Sequence, residues 1–242
     1  MTIIHDPKLC NLRRCTVNII IDWILATWLY ISAGIAGATA FYFFSKRQSL
    51  SIPSKICSIF LVFLVLHMIE EYVYPSGFFY AFNMVLGSAD PMAYPLNSFS
   101  CMVTNFVGVL FFAFVLWKWS EKVWATLTIA IFGIAQLVVH LIFGFASLEM
   151  FGEAGQILPY SPGLFTSVIL FLPLSIYCFV YIAKSKSLSI KHAGASIKEI
   201  SIAVLVVIII IAGLIMVPMQ TFGNDPDTSY RFISNGYYEK YS

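Results

Sequence analysis

Residues 56–74 read ICSIFLVFLVLHMIEEYVY, from Ile56 to Tyr74. The first eleven carry no ionisable group except a cysteine thiol, and then His67, Glu70 and Glu71 follow within five residues. A helix rising 1.5 Å per residue needs about 20 residues to cross about 30 Å of hydrocarbon. The stretch has that length, and its apolar side chains leave no polar face for water. It therefore reads as a membrane span with an acidic, histidine-bearing end.

Five more apolar runs flank it: Val17–Phe44, Phe99–Trp119, Val123–Ala146, Leu164–Ala183 and Ile200–Val217. They predict an all-α, polytopic membrane helical bundle of about six transmembrane helices. One membrane-embedded domain is expected over 1–222, followed by a polar, tyrosine-rich tail over 223–242 that lies loosely on the surface. Composition agrees. The chain is 60% hydrophobic and 11% charged, against about 45–50% and about 25% in soluble domains. That excludes an ordinary soluble globule and a disordered chain. With 14 Lys+Arg against 12 Asp+Glu, it also excludes a basic surface for nucleic acid.

The first run is too long for the core of a cleavable signal and is kept as a membrane helix. Its small residues, Ser32 to Ala38, are expected to let a neighbouring helix approach closely. The last run is nearly all Val, Leu and Ile between Ala203 and Ile211, which suits packing or lipid contact. The five cysteines form no CxxC pair, so neither a zinc knuckle nor a redox dithiol is indicated. Cys10 and Cys15 could pair in an oxidising compartment. No internal repeat points to an inverted-repeat transporter.

Lysines and arginines set the orientation. Loops one, three and five hold nine of them (Lys46, Arg47, Lys55; Lys118, Lys122; Lys184, Lys186, Lys191, Lys198), and the remaining five lie towards the two termini. The positive-inside rule then places loops 1, 3 and 5 in the cytoplasm and both termini outside, in a cytoplasmic (inner) membrane. Loop two, Pro75 to Asn97, is expected to fold back as an outer lid or interfacial segment. Loop four, Ser147 to Gly163, would cap the same face.

Charges in hydrocarbon cost about 2.5–3.5 kcal/mol each, so the few present are informative. At 100° per residue Glu70 and Glu71 flank His67 on either side of one helix face. The other spans hold Asp22, Asn105, Gln136 and His140, with no lysine or arginine at comparable depth. Counted at about 1.5 Å per residue, Asp22, His67, Glu70, Glu71, Asn105 and His140 all fall in the outer half of the bilayer. They are expected to form one site opening outward.

His67-Met68-Ile69-Glu70-Glu71 resembles the motif that names the HXXEE family of integral membrane proteins. His140 and Tyr160-Ser161-Pro162-Gly163 are similar to the later histidine and the Tyr-x-Pro-Gly element of that family, with Ser161 where asparagine is commoner. Asn105 is similar to a polar position in the span after the motif. The resemblance runs over roughly Ile56 to Tyr181 and implies a membrane protein of no established activity.

Four chemistries fit these residues. A His and a Glu one turn apart can chelate one ion, and facing helices complete such sites. His67, Glu70, Glu71 and His140 are then the metal ligands and catalytic groups for a divalent metal, zinc or iron. Asn105 and Tyr160 would position substrate or water. Such an ion could activate water or polarise the headgroup of a lipid or lipid-linked substrate. Without a metal, paired carboxylates raise one another's pKa and could run acid/base isomerisation. Asp/Glu/His chains also build the proton relays of transporters. Last, the cluster could simply pin helices together. Pro162-Gly163 reads as a helix entry, and no GxSxG, HExxH or Gly-rich phosphate loop is present.

Overall fold

A buried backbone in lipid must satisfy its own hydrogen bonds, which leaves helices as the way to use such sequence. The computed structural model describes residues 7–184, 193–211 and 230–241. Among the described residues seven α-helices run in order: α1 (Pro7–Lys46), α2 (Ile52–Tyr72), α3 (Phe78–Val85), α4 (Ser98–Trp119), α5 (Val123–Phe151), α6 (Leu164–Lys184) and α7 (Ala193–Ile211). No strand occurs among the described residues. Five of these helices are long and apolar enough to cross a membrane: α1 from Ile19, then α2, α4, α5 and α6. The chain is therefore a multi-pass membrane-type bundle. Of the expected sixth span, Ile200–Val217, residues 212–217 lie outside the described residues, as do the side chains of Cys10 and Cys15.

The middle of the bundle is α2. It touches α1, α4, α5 and α6, and Ile56, Phe60, Leu61, Leu64, Val65 and Met68 are buried around its circumference. Phe60 meets the rings of Phe112, Phe132 and Phe171 at centroid distances of 4.6, 5.7 and 5.6 Å. The ends are capped by polar side chains. Ser51 accepts from the Ser54 amide at the start of α2, Asn97 and Ser100 exchange capping bonds at the start of α4, and Glu199 of α7 accepts from the Trp124 amide at the start of α5. Within the helices Ser32, Thr39 and Ser58 return their hydroxyls to carbonyls four residues back, which lets them sit in apolar surroundings.

Helix α1 buries a stripe of Trp28, Ser32, Ala36 and Thr39 while Tyr30 and Phe41 face outward. The expected close approach through small residues thus uses Ser32 and Ala36. Gly34 and Gly37 face open space instead, because they lie on other sides of the helix.

Loop two folds back over one end of the bundle, as expected, and contains α3. Asn83 pins it, donating to the carbonyls of Pro91 and Leu96 (2.9 and 2.8 Å) and accepting from the Leu96 amide (3.1 Å). Loop four is shorter than expected because α5 continues to Phe151. The tail corrects the expectation of a loosely held segment. Tyr238 is fully buried beside Ala81 and Phe151, the Phe232 amide donates to Met92 O (2.8 Å), and Arg231 pairs with Asp90. Aromatic packing offsets the low apolar content that suggested looseness. A Cβ on Gly77, at φ 95°, would lie 2.3 Å from the Asn235 carbonyl oxygen, so the tail crosses where loop two has no side chain. Residues 223–229 and 242 lie outside the described residues.

Candidate metal centre

Helices α2 and α5 bring their histidines together just beneath this covered end. His67, His140 and Glu71 are 1%, 0% and 5% exposed, so whatever charge they hold must be balanced locally. The Nε2 atoms of His67 and His140 are 3.2 Å apart. Glu71 Oε1 lies 3.5 Å from the first and 3.3 Å from the second. The three atoms form a nearly equilateral triangle.

The outer nitrogens decide where the protons are. His67 Nδ1 lies 2.8 Å from Thr166 Oγ1. The Thr166 hydroxyl in turn has two acceptors in reach, Glu70 Oε2 at 2.6 Å and Gly163 O at 3.2 Å. A carboxylate and a carbonyl only accept, so Thr166 donates to one of them and receives the His67 Nδ1 proton. On His140, Ser161 Oγ donates to the His140 carbonyl (2.9 Å) and lies 3.4 Å from Nδ1. Ser161 can therefore only accept from that nitrogen. These contacts are satisfied by imidazoles protonated on Nδ1, a tautomer that turns both Nε2 lone pairs towards Glu71.

Glu70 has a different setting. Its Oε1 accepts from the Tyr160 hydroxyl (2.8 Å) and the Phe165 amide (3.1 Å), and its Oε2 from the Thr166 amide (2.8 Å) and hydroxyl. Four donors make it a carboxylate held at the N-terminus of α6, where free amides and the helix dipole favour negative charge. The sequence expectation placed Glu70 with the other ligands. The structure brings together His67, Glu71 and His140 as the group able to hold one ion among the described residues, and turns Glu70 to the other side of His67. The reason is angular: residues three and four after His67 diverge to opposite sides of it, and α6 begins on the Glu70 side.

Each conspicuous residue of Tyr160-Ser161-Pro162-Gly163 touches this site. Tyr160 holds Glu70; its burial, then its bond to Glu70, keep the phenol well above its ordinary pKa, so it stays a donor. Gly163, at φ 98°, caps α6 and lies flat against His140, where a Cβ would come 2.2 Å from Cε1. The Pro-Gly pair is a helix entry and a histidine support at once. Just beyond it α6 opens into a π turn, Ser167–Phe171, whose Phe171 ring lies 5.0 Å from His67.

Asn105 donates to Tyr72 Oη (2.6 Å) and to the Cys101 carbonyl. With Gln136 and Glu71 it lines a cavity of about 130 Å³ between α2, α4, α5 and α7. Asp22 stands apart, on a second cavity of about 700 Å³ that also borders Glu71. Sequence reasoning missed Thr166 and Ser161 as partners of the histidines. A threonine three residues after a Pro-Gly helix entry was a visible capping signal, but nothing local shows which carboxylate and imidazole it meets.

A family model described as "Protein of unknown function with HXXEE motif" matches residues 58–178, half of the chain. The chain belongs to the HXXEE family. The matched stretch holds every residue of the triangle and of its support, from His67 through Thr166. No curated protein and no solved structure matches the chain.

The proton assignment has a direct check, since the HXXEE chain has only four histidines. Long-range ¹H–¹⁵N correlation on ¹⁵N-histidine protein at neutral pH should show the Nδ1–H tautomer for the two residues lost in His67→Gln and His140→Gln. Resonances of a doubly protonated imidazolium at either position would contradict it.

Proposed function

We propose that this HXXEE protein is a membrane-embedded, metal-dependent enzyme acting on a lipid or lipid-linked substrate. The observation that carries the reading is the triangle of His67 Nε2, His140 Nε2 and Glu71 Oε1. A tetrahedral zinc about 2.0–2.1 Å from each ligand spaces those ligands about 3.3–3.4 Å apart. Sides of 3.2, 3.3 and 3.5 Å match one face of that tetrahedron. Two histidines and one glutamate with a fourth position left to solvent or substrate is a hydrolytic zinc ligand set. A divalent ion held there supplies Lewis acidity and lowers the pKa of water.

The chain's own residues supply the rest. Thr166 and Ser161 fix the rings of His67 and His140 through Nδ1, which aims the ligating lone pairs and strengthens them. Glu70 anchors Thr166, and the α6 N-terminus neutralises Glu70, leaving Glu71 as the carboxylate free to face an ion. Tyr160 remains a neutral donor to Glu70. Asn105 and Tyr72 stand at the two cavities that border Glu71, one at each, where they can orient a polar part of the substrate.

A second reading rests on the same triangle. A proton shared by the two imidazoles and Glu71 would also relieve their repulsion, as in a proton-coupled transporter or a metal-free isomerase. The two separate on metal content. Elemental analysis of purified protein should find about one zinc or iron per chain, and none in His67→Ala or His140→Ala. Glu70→Gln should keep the site with an affinity weakened about 10–100-fold, as for other outer-shell partners. Metal-free wild type, prepared without chelator, would overturn the metalloenzyme and leave the proton-sharing reading.

The excess of Lys and Arg in loops 1, 3 and 5 supports placing those loops in the cytoplasm and the site in the outer half of a cytoplasmic membrane. In a background lacking Cys10 and Cys15, Ala89→Cys in loop two should react with a membrane-impermeant maleimide on intact cells. Labelling only after permeabilisation would invert the orientation.

A further inference from the structure

Two cavities meet at Glu71, and they differ in shape and chemistry. The inner one follows α4 from Cys101 past Asn105 and Gly108 to Phe112, eleven residues or about 16 Å. It runs down α2 from Glu71 to Leu64 and down α5 from Val139 to Phe132, with Ile210 of α7 on its wall. Its volume is about 130 Å³, near that of a cavity of about 150 Å³ that takes a single benzene. By that comparison the volume holds about six carbons, so the slot admits one short hydrocarbon chain. A fused-ring or two-chain lipid is too wide for it. Thr104, Asn105 and Gln136 are the polar side chains on it besides Glu71, and the rest of the wall is aromatic or aliphatic.

The outer cavity is about 700 Å³ and lies between α1, the end of α2, loop two and the tail. Leu25, Trp28 and Leu29 make its apolar side. Asp22, Ser98, Arg231 and Ser234 bring polar and charged groups to it. Arg231 already pairs with Asp90, so this end carries both signs of charge and suits a polar headgroup. Glu71 and Phe79 border both spaces. An amphiphile lying across them puts its chain in the slot, its head under the tail segment, and the bond joining the two beside the triangle.

We infer that the substrate is a single, short-chain acyl amphiphile, bound with its chain in the slot below Glu71 and its ester or amide carbonyl at the Glu71 corner of the triangle. Placing the reacting bond rests on the metal reading proposed above; chain binding is read separately. Hydrolysis there breaks the bond between the acyl carbon and the headgroup oxygen or nitrogen. Water gives its hydroxyl to the acyl carbon and its other proton to the departing headgroup, with no change of oxidation state.

Gly108 offers the test, because a Cβ built there meets nothing within 4 Å. Gly108→Phe fills the slot without displacing backbone, and Gly108→Val does so partly. The probe is a lysophosphatidylcholine whose acyl chain has about six carbons and ends in a diazirine, crosslinked to the purified full-length protein and mapped by mass spectrometry. Crosslinks should fall on α4 near Gly108–Phe112 and on α5 near Phe132–Gln136. They should drop at least tenfold in Gly108→Phe and by less in Gly108→Val, while metal content stays at the wild-type value. Crosslinks confined to outward-facing residues such as Phe114 and Val138, or unchanged in Gly108→Phe, would overturn the inference even with a metal bound. Slot labelling in metal-free protein would keep the chain site and overturn the metalloenzyme alone.

Discussion

Three ring-nitrogen and carboxylate atoms about 3.3 Å from one another, buried in the bundle, repel unless a proton or a metal ion lies among them. His67, His140 and Glu71 are in that position, and no lysine or arginine side chain pairs with them among the described residues. The surrounding structure reads as the means of holding that electron-rich triangle in place. Asn83 clamps loop two over it, Gly163 supports one ring from the side, and α2 carries two of its three corners through the most buried part of the bundle.

The adjacent glutamates solve two different electrostatic problems. Glu70 accepts four hydrogen bonds at the start of α6, so its charge is balanced by backbone dipoles and two hydroxyls. In return it orients Thr166 and, through it, His67. Glu71 has no such donors from a helix end and faces the histidines. Two acids in sequence thereby give one anchor at a helix start and one carboxylate turned to the two histidines.

Much of this was legible in the sequence. The spans followed from run length and apolar content, and counting depth along two different helices put His67 and His140 in the same half of the bundle without fixing their contact. Helical angles also showed that Glu70 and Glu71 diverge around His67, though not which would face His140. That choice depends on where α6 begins, a tertiary fact. The tail was misread for a similar reason. Tyr230, Tyr237, Tyr238 and Tyr241 look polar in a hydropathy window, yet their rings supply apolar area against Phe99, Tyr160 and Phe151. In α1 the small-residue patch Ser32 to Ala38 was legible, but not that Ser32 and Ala36, one helical turn apart, are the members that are buried.

X-ray absorption at the zinc and iron edges of the purified protein tests the central claim most directly. An ion held by the triangle should give a first shell of nitrogen and oxygen at about 2.0–2.1 Å with the outer-shell scattering of two imidazoles. No edge above background, or a first shell of sulfur at about 2.3 Å, would contradict it.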